Sequence, residues 1–317
     1  MKVAHAFAPA TVANVAVGFD ILGFALSGLG EVATVQRTTQ AGQVVVHPTE
    51  GFPQLPTDPL KNTGSAGLVQ LLKDKKYPFG FEVTLRKSIP VGSGLGGSSL
   101  SAVAGIVAAN ALLPKKLTSA EMLKYALVGE EVASGSIHAD NVGPCLQGGL
   151  VFIRSAAELS LVKIKTPTSL RCVVILPKLS INTKDARGIL NPQVPLKTMI
   201  EQTANLSGFL IGCLTNNFDL LRHSLRDVVI EPQRSGLIPF FADLQKAAMA
   251  AGALGCSISG SGPAIFALAR NQRDALKIRK ALTEKAAQKN LALAGSWVSA
   301  VARKGAHLIQ NPPKGPQ

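Results

Sequence analysis

The sequence predicts an α+β protein folded as two units, and three observations predict it. At 317 residues with 46% hydrophobic content, the chain can fill two cores. Apolar runs of strand length are interspersed with segments of helical period through both halves. A strand, Phe81–Leu85, feeds a glycine-rich loop and then a helix, and a second series of elements starts near Thr166. The expected division is therefore 1–165, 166–306 and a frayed tail over 307–317, rich in Pro, Gly and polar residues.

Taken in order, residues 3–47 read as several short strands around a turn-rich segment, with Val32–Arg37 and Gln43–His47 the clear ones. Gly51–Pro59 is a proline-rich loop, and Asn62–Lys73 a helix with Asn62 at its start. Ser98–Leu113 reads as an amphipathic, alanine-rich helix. Leu117–Ala133 is another, capped by Thr118 or Ser119 with Glu121 following. Gly148–Arg154 closes the first unit as a strand. In the second unit Cys172–Leu176 is an apolar strand, followed by helices at Lys197–Thr215, Phe218–Leu225 and Ile238–Ala251. Ile265–Ala269 and Gly295–Ala302 are strands. Between them, Asp274–Asn290 places Ala275, Ile278, Leu282 and Ala286 on one helical face.

Composition excludes several classes. Charged residues are only 16%, too few for a chain disordered throughout. Cys145, Cys172, Cys213 and Cys256 are far apart, which argues against a zinc ribbon or disulfide framework and fits a reducing compartment. The N-terminus has no long apolar run of a signal peptide, and the apolar runs at 100–113 and 247–269 are short or broken. A cytoplasmic protein without a membrane partner is expected. The net charge of +14 invites a nucleic-acid partner. However, the basic residues are scattered, and no aromatic interleaves with them as a base-stacking platform requires, so none is expected.

The chemistry concentrates at 89–99, Ile-Pro-Val-Gly-Ser-Gly-Leu-Gly-Gly-Ser-Ser. Glycines let successive N–H groups converge, and a helix start adds unpaired donors and partial positive charge, which together cradle phosphate. The loop lacks the Gly-Lys-Ser/Thr ending of a Walker loop and the spacing of a dinucleotide fingerprint. Three further segments accompany it: 8–23 with Asn14 and Asp20, 134–144 with His138, Asp140 and Asn141, and 255–264, Gly-Cys-Ser-Ile-Ser-Gly-Ser-Gly-Pro-Ala. A hydrolase triad of Ser136, His138 and Asp140 is disfavoured, since residues so close in sequence rarely reach triad geometry and no Gly-x-Ser-x-Gly elbow is present.

In order and residue type these four segments resemble the GHMP kinases, the superfamily of galactokinase, homoserine kinase, mevalonate kinase and phosphomevalonate kinase. Within it the resemblance is closest to the homoserine kinase family, and it runs to about Lys304. It implies a ribosomal-protein-S5-like N-terminal domain that binds ATP, a ferredoxin-like C-terminal domain, and an active site between them. It implies that Pro90, Val91, Gly92, Ser93, Gly94, Leu95, Gly96, Gly97, Ser98 and Ser99 wrap the phosphates of ATP, with Asn62 near the adenine. Ser98 and Glu130 would hold Mg2+; Ser99 competes with Ser98 because Gly97 stands where the family's first serine is usual, and Glu131 competes with Glu130 as its neighbour.

The acceptor that the resemblance implies is L-homoserine, giving O-phospho-L-homoserine for threonine synthesis, in a homodimer. Asp20 would meet its ammonium, and Arg187 and Arg234 its carboxylate, since a planar guanidinium matches a carboxylate two-pronged. Asn14, His138 and Asn141 would orient the hydroxyl as the catalytic group. Several GHMP kinases have an aspartate base where this chain has Asn141, which cannot take a proton. The expected mechanism has no dedicated carboxylate base, and Asp140 is the residue that tests it.

Overall fold

The computed structural model describes residues 2–135 and 138–310, which form a seven-stranded and a four-stranded sheet. The first unit comprises β1 (Val3–Ala13), β2 (Leu22–Thr38), β3 (Val44–Val46), α1 (Thr63–Lys75), β4 (Gly80–Arg86), α2 (Gly97–Leu112), α3 (Ser119–Ser134), α4 (Ala139–Gln147), β5 (Leu150–Ser155) and β6 (Ser160–Ile164). The second comprises β7 (Arg171–Pro177), α5 (Thr183–Gly188), α6 (Leu196–Thr215), α7 (Phe218–Ser224), α8 (Glu231–Arg234), α9 (Phe241–Ala250), β8 (Gly255–Ile258), β9 (Ile265–Ala269), α10 (Gln272–Gln288) and β10 (Leu293–Ala300). A last strand, β11 (His307–Ile309), returns to the first sheet.

The larger sheet runs β11-β1-β2-β4-β3, with β5 also pairing β2 and carrying β6. Instead of several short strands, residues 3–38 make two long antiparallel ones. Pro9 falls at a bulge in the β1–β2 ladder, where a missing N–H costs no pairing, so it bends the strand without ending it. The smaller sheet runs β10-β7-β9-β8, all antiparallel, with α9 and α10 packed on it around a second core.

α2 is not amphipathic as the sequence suggested. It is buried at Ser99, Leu100, Val103, Ile106 and Ala109 alike, lying on β1 and β2 with α1 and α3 alongside. Its small residues allow that close approach, which fixes the direction from which its N-terminus meets the cavity. α4 was missed because Pro144 sits inside it and cannot donate to the Asp140 carbonyl. β2 accommodates that carbonyl with Gly23, where a Cβ would lie 1.8 Å from the Asp140 oxygen.

The expected frayed tail needs correction at its start. His307–Ile309 is a strand, pairing Phe7 with His307 and His5 with Ile309, and the Phe7 and His307 rings lie 5.7 Å apart. Residues 311–317 lie outside the described residues. Among the described residues no helix is long and apolar enough to cross a membrane.

Candidate active site

A cavity of about 700 Å³ opens where the glycine loop, the starts of α1 and α5, α3, α4 and the 255–264 segment converge. A larger groove of about 1,100 Å³, bordered by Phe7, Lys163, Arg171 and Lys304, holds none of the four motifs' site residues. The chemistry therefore belongs to the smaller cavity.

Its floor is the loop. Gly92, Gly94 and Gly96 have φ of 70°, 79° and 74°, a left-handed conformation that side chains disfavour. Gly96 caps α2, so the N–H groups of Gly97, Ser98 and Ser99 have no acceptor within the helix and carry the positive end of its dipole. The 255–264 segment stitches the loop down. Ser259 Oγ donates to the Gly94 carbonyl (2.7 Å), Ala264 N–H to the Ser93 carbonyl (2.9 Å), and Gly260 N–H to the Ala13 carbonyl (3.3 Å). Ser259 is thus structural, whereas Ser261 lines the cavity within 3.3 Å of the Thr183 hydroxyl.

Among the loop residues, Val91, Gly92, Ser93, Gly94, Gly96, Gly97 and Ser98 line the cavity, while Pro90, Leu95 and Ser99 do not, the last two being fully buried. Asn62 also lines it and doubles as the cap of α1, accepting from Gly64 N–H at 2.9 Å and donating to the Pro56 carbonyl at 2.8 Å. Lys87 lies under the loop, almost wholly buried. Its ammonium donates to Glu31 (2.7 Å), the Gly97 carbonyl (2.9 Å) and Ser101 Oγ (2.9 Å).

The two serines have different surroundings. Ser98 faces the cavity. Ser99 is fully buried and donates to Glu130 Oε2 at 2.6 Å, and Glu130 Oε1 lies 3.1 Å from His138 Nδ1. Glu130 lines the cavity, whereas Glu131 is exposed and does not. Among the described residues no group of three His, Cys, Asp or Glu could hold a metal. One hydroxyl and one carboxylate at a phosphate cradle nonetheless suit Mg2+, which takes one or two carboxylates and completes its shell with phosphate and water. Burial works against the protonated His138 ring, but the Glu130 carboxylate outweighs it and raises the imidazole overall.

At the other end, Thr11 Oγ1 donates to Asn141 Oδ1 at 2.7 Å, which turns the Asn141 amide nitrogen away from Thr11. Arg187 and Asp20 pair with each other, at 2.8 Å (Nη2 to Oδ1) and 2.9 Å (Nη1 to Oδ2), each about 40% exposed. Arg234 is buried and donates to the Ala186 carbonyl (2.9 Å) and the Gly260 carbonyl (3.2 Å). The Phe19 ring is shared between both guanidinium groups at 5.3 and 5.1 Å.

Asp140 is buried, and its Oδ1 meets no hydrogen-bond partner among the described residues. Burial pushes its carboxyl up to about 7, and the nearby Asp20 carboxylate adds to the rise. Asn14, expected to touch the substrate hydroxyl, pins its own loop, accepting from Asp20 N–H (3.0 Å) and donating to the Gly260 carbonyl (3.0 Å). That loop holds Asn14, Val15, Ala16 and Asp20 at positive φ, a strained run of the kind that collects at functional sites. Sequence reasoning missed Lys87, Thr11, Phe19 and Thr183. Thr11 and Phe19 lay inside a motif already singled out, but nothing in the sequence marks Thr183 as a neighbour of Ser261. Ser136, the nucleophile of the disfavoured hydrolase triad, lies outside the described residues.

Comparison with known proteins bears on all of these segments. Residues 65–149 match the family model for the GHMP kinases N-terminal domain, and residues 209–288 match that for the GHMP kinases C-terminal domain. The homoserine kinase of Chloroherpeton thalassium is 39% identical over 98% of this chain and all of its own length. That of Xylella fastidiosa is 41% identical over 96% of this chain and 94% of its own. The crystal structure of homoserine kinase from Cytophaga hutchinsonii superposes with a TM-score of 0.94 at 42% identity, covering 98% of each chain.

Proposed function

We infer the reaction from kinship and geometry together: this chain belongs to the GHMP kinase family, and it transfers the γ-phosphate of ATP to the side-chain hydroxyl of L-homoserine. The product is O-phospho-L-homoserine. The observation that carries the reading is the charge pattern beside the glycine-loop cavity. Two guanidinium groups, Arg187 and Arg234, and two carboxyls, Asp20 and Asp140, suit a zwitterion. Relatives about 40% identical over nearly their whole length bear the homoserine kinase name.

Phosphoryl transfer asks the protein mainly for positioning and charge stabilisation. The N–H groups of the loop and of the α2 start bind the phosphates, and Lys87 braces the loop through the Gly97 carbonyl. Ser98 and Glu130 would hold Mg2+, Ser99 and His138 fixing the Glu130 carboxylate from either side. Mg2+ bound there would neutralise phosphate charge. Arg187 opens from Asp20 to take the substrate carboxylate, which frees Asp20 for the ammonium. Asn141, its oxygen occupied by Thr11, presents N–H to the acceptor oxygen and cannot receive the proton, which leaves with the transferred phosphoryl group or to solvent. Asn14 and Arg234 position this end through the shared Gly260 carbonyl. We extend the reading to a cytoplasmic homodimer, the four buried free cysteines fitting a reducing compartment.

Phosphorus NMR of the product tests the reading. Phosphate coupled to the side-chain methylene of homoserine, formed only with ATP and Mg2+, is expected. Phosphate on the carboxylate, or hydrolysis of ATP alone, would contradict it.

A further inference from the structure

We propose that the groove of about 1,100 Å³ is a second ligand site, taking an organic anion with an apolar body. It shares no lining residue with the active-site cavity. Residues 163–168 and 300–304, which carry the chain between the two units, both line it. Its apolar wall includes Phe7, Ile164 and Val301, each only half-buried, so hydrocarbon surface is left for a ligand to cover. A concave apolar site of this size suits a small organic molecule.

The charge of the occupant follows from the rim. Lys163, Lys165, Arg171, Arg303 and Lys304 border the groove, no Asp or Glu does, and none of the five is ion-paired among the described residues. Two of them are fixed in place. Lys163 donates to the Arg303 carbonyl (2.8 Å) and the Gln147 carbonyl (3.1 Å). Arg171 donates to the Thr168 and Leu170 carbonyls (both 3.0 Å) and to Gln272 Oε1 (3.1 Å). Both keep donors in reserve, an ammonium having three N–H groups and a guanidinium five. Lys165, Arg303 and Lys304 have no side-chain partner among the described residues. Like charges gathered in this way repel one another, and a bound anion relieves them. The wall they stand on is preformed: Ala302 N–H donates to the Ala25 carbonyl (2.8 Å), and Gly149 N–H to the Ala302 carbonyl (2.6 Å). An inorganic anion would leave the hydrocarbon wet, and a neutral apolar molecule would leave the cations unanswered. One molecule with both features answers both.

Fluorescence titration of the full chain with 8-anilinonaphthalene-1-sulfonate, an aromatic anion that brightens in apolar surroundings, tests this. Saturating ATP and Mg2+ are kept present so that the probe cannot enter the active-site cavity. Octyl phosphate is expected to displace the probe, with octanol and inorganic phosphate each about tenfold or more less effective. K165E/R303E/K304E changes three exposed side chains and should raise the probe's Kd about tenfold or more, with circular dichroism like the parent's. S27W narrows the groove without touching its charge and should weaken the probe as well. No probe binding, equal displacement by octanol and octyl phosphate, or a Kd unchanged in both variants overturns the proposal.

Discussion

Arg187 and Asp20, 167 residues apart in sequence, close a two-pronged ion pair at 2.8 and 2.9 Å beside the cavity. Under the proposed function each is the complement of one end of the amino acid, so each would hold the other's place until substrate arrives. Half-exposed, the pair contributes little to stability, and its value lies in keeping both groups aimed.

Replacing Arg187 by Lys keeps the charge and loses the fork. The KM for L-homoserine should rise about tenfold or more, with the KM for ATP within about twofold of the parent. Steady-state kinetics with each substrate varied in turn decides it, and equal rises in both would place Arg187 elsewhere in the mechanism.

The two loop serines should separate in a magnesium titration. Ser98→Ala removes a cavity hydroxyl and should raise the Mg2+ concentration needed for half-maximal rate. Ser99→Ala leaves that hydroxyl but strips Glu130 of a buried 2.6 Å bond, so it should also lower the melting temperature, by the equivalent of about 1–3 kcal/mol. Equal thermal losses in both variants would contradict the division.

Neighbouring glycines should respond in opposite ways. A Cβ at Gly94 would lie 2.5 Å from the Ser259 carbonyl oxygen in a left-handed conformation, so Gly94→Ala should cost about 3 kcal/mol or more. Gly97 has room, with Glu31 Oε1, which has no hydrogen-bond partner among the described residues, 3.9 Å from the added Cβ. Gly97→Ser should therefore hold or raise the melting temperature by the equivalent of about 1 kcal/mol. Thermal unfolding of the two variants checks this.

Asp140 makes stability depend on pH. Its carboxyl is raised from 3.8 to about 7, so the native state keeps a proton that the unfolded chain has lost. The stabilisation is complete below about pH 4 and gone above about 7. Asp20, His138, Glu130, Arg187 and Arg234 surround it and shape the curve. Asp140→Asn should lessen the fall in melting temperature between pH 4 and 7, with Glu31, Asp227 and Glu231, also raised by burial, retaining part of it. Its kcat should fall less than about a hundredfold, since no base is removed; a larger fall with both substrates still bound would make Asp140 the base.

Legibility in the sequence followed the range of each interaction. Local chemistry could be read: the Thr118–Glu121 capping box, the Asn62 cap and the glycine loop all depend on residues a few positions apart. α4 could not, because Pro144 inside a helix is tolerated only where Gly23 on another element makes room for a carbonyl. The long β1 reads as fragments because Pro9 looks like a break until its bulge is seen, and β2 because Gly28, at φ 78°, looks like a turn. In the site, residue types were readable but engagements were not. Asp20 and Arg187 were assigned opposite ends of the substrate, yet nothing in their spacing shows that they pair without it. Lys87 escaped because a buried lysine is recognisable only once Glu31 and the Gly97 carbonyl surround it.

The most direct measurement is ADP release from Mg2+ and ATP with L-homoserine, L-threonine, L-serine and mevalonate offered in parallel. Release with L-homoserine far above the rest, lost without Mg2+, is the predicted result. Release with mevalonate, which has no ammonium for Asp20 to meet, would contradict the account of the charge pattern and of the substrate.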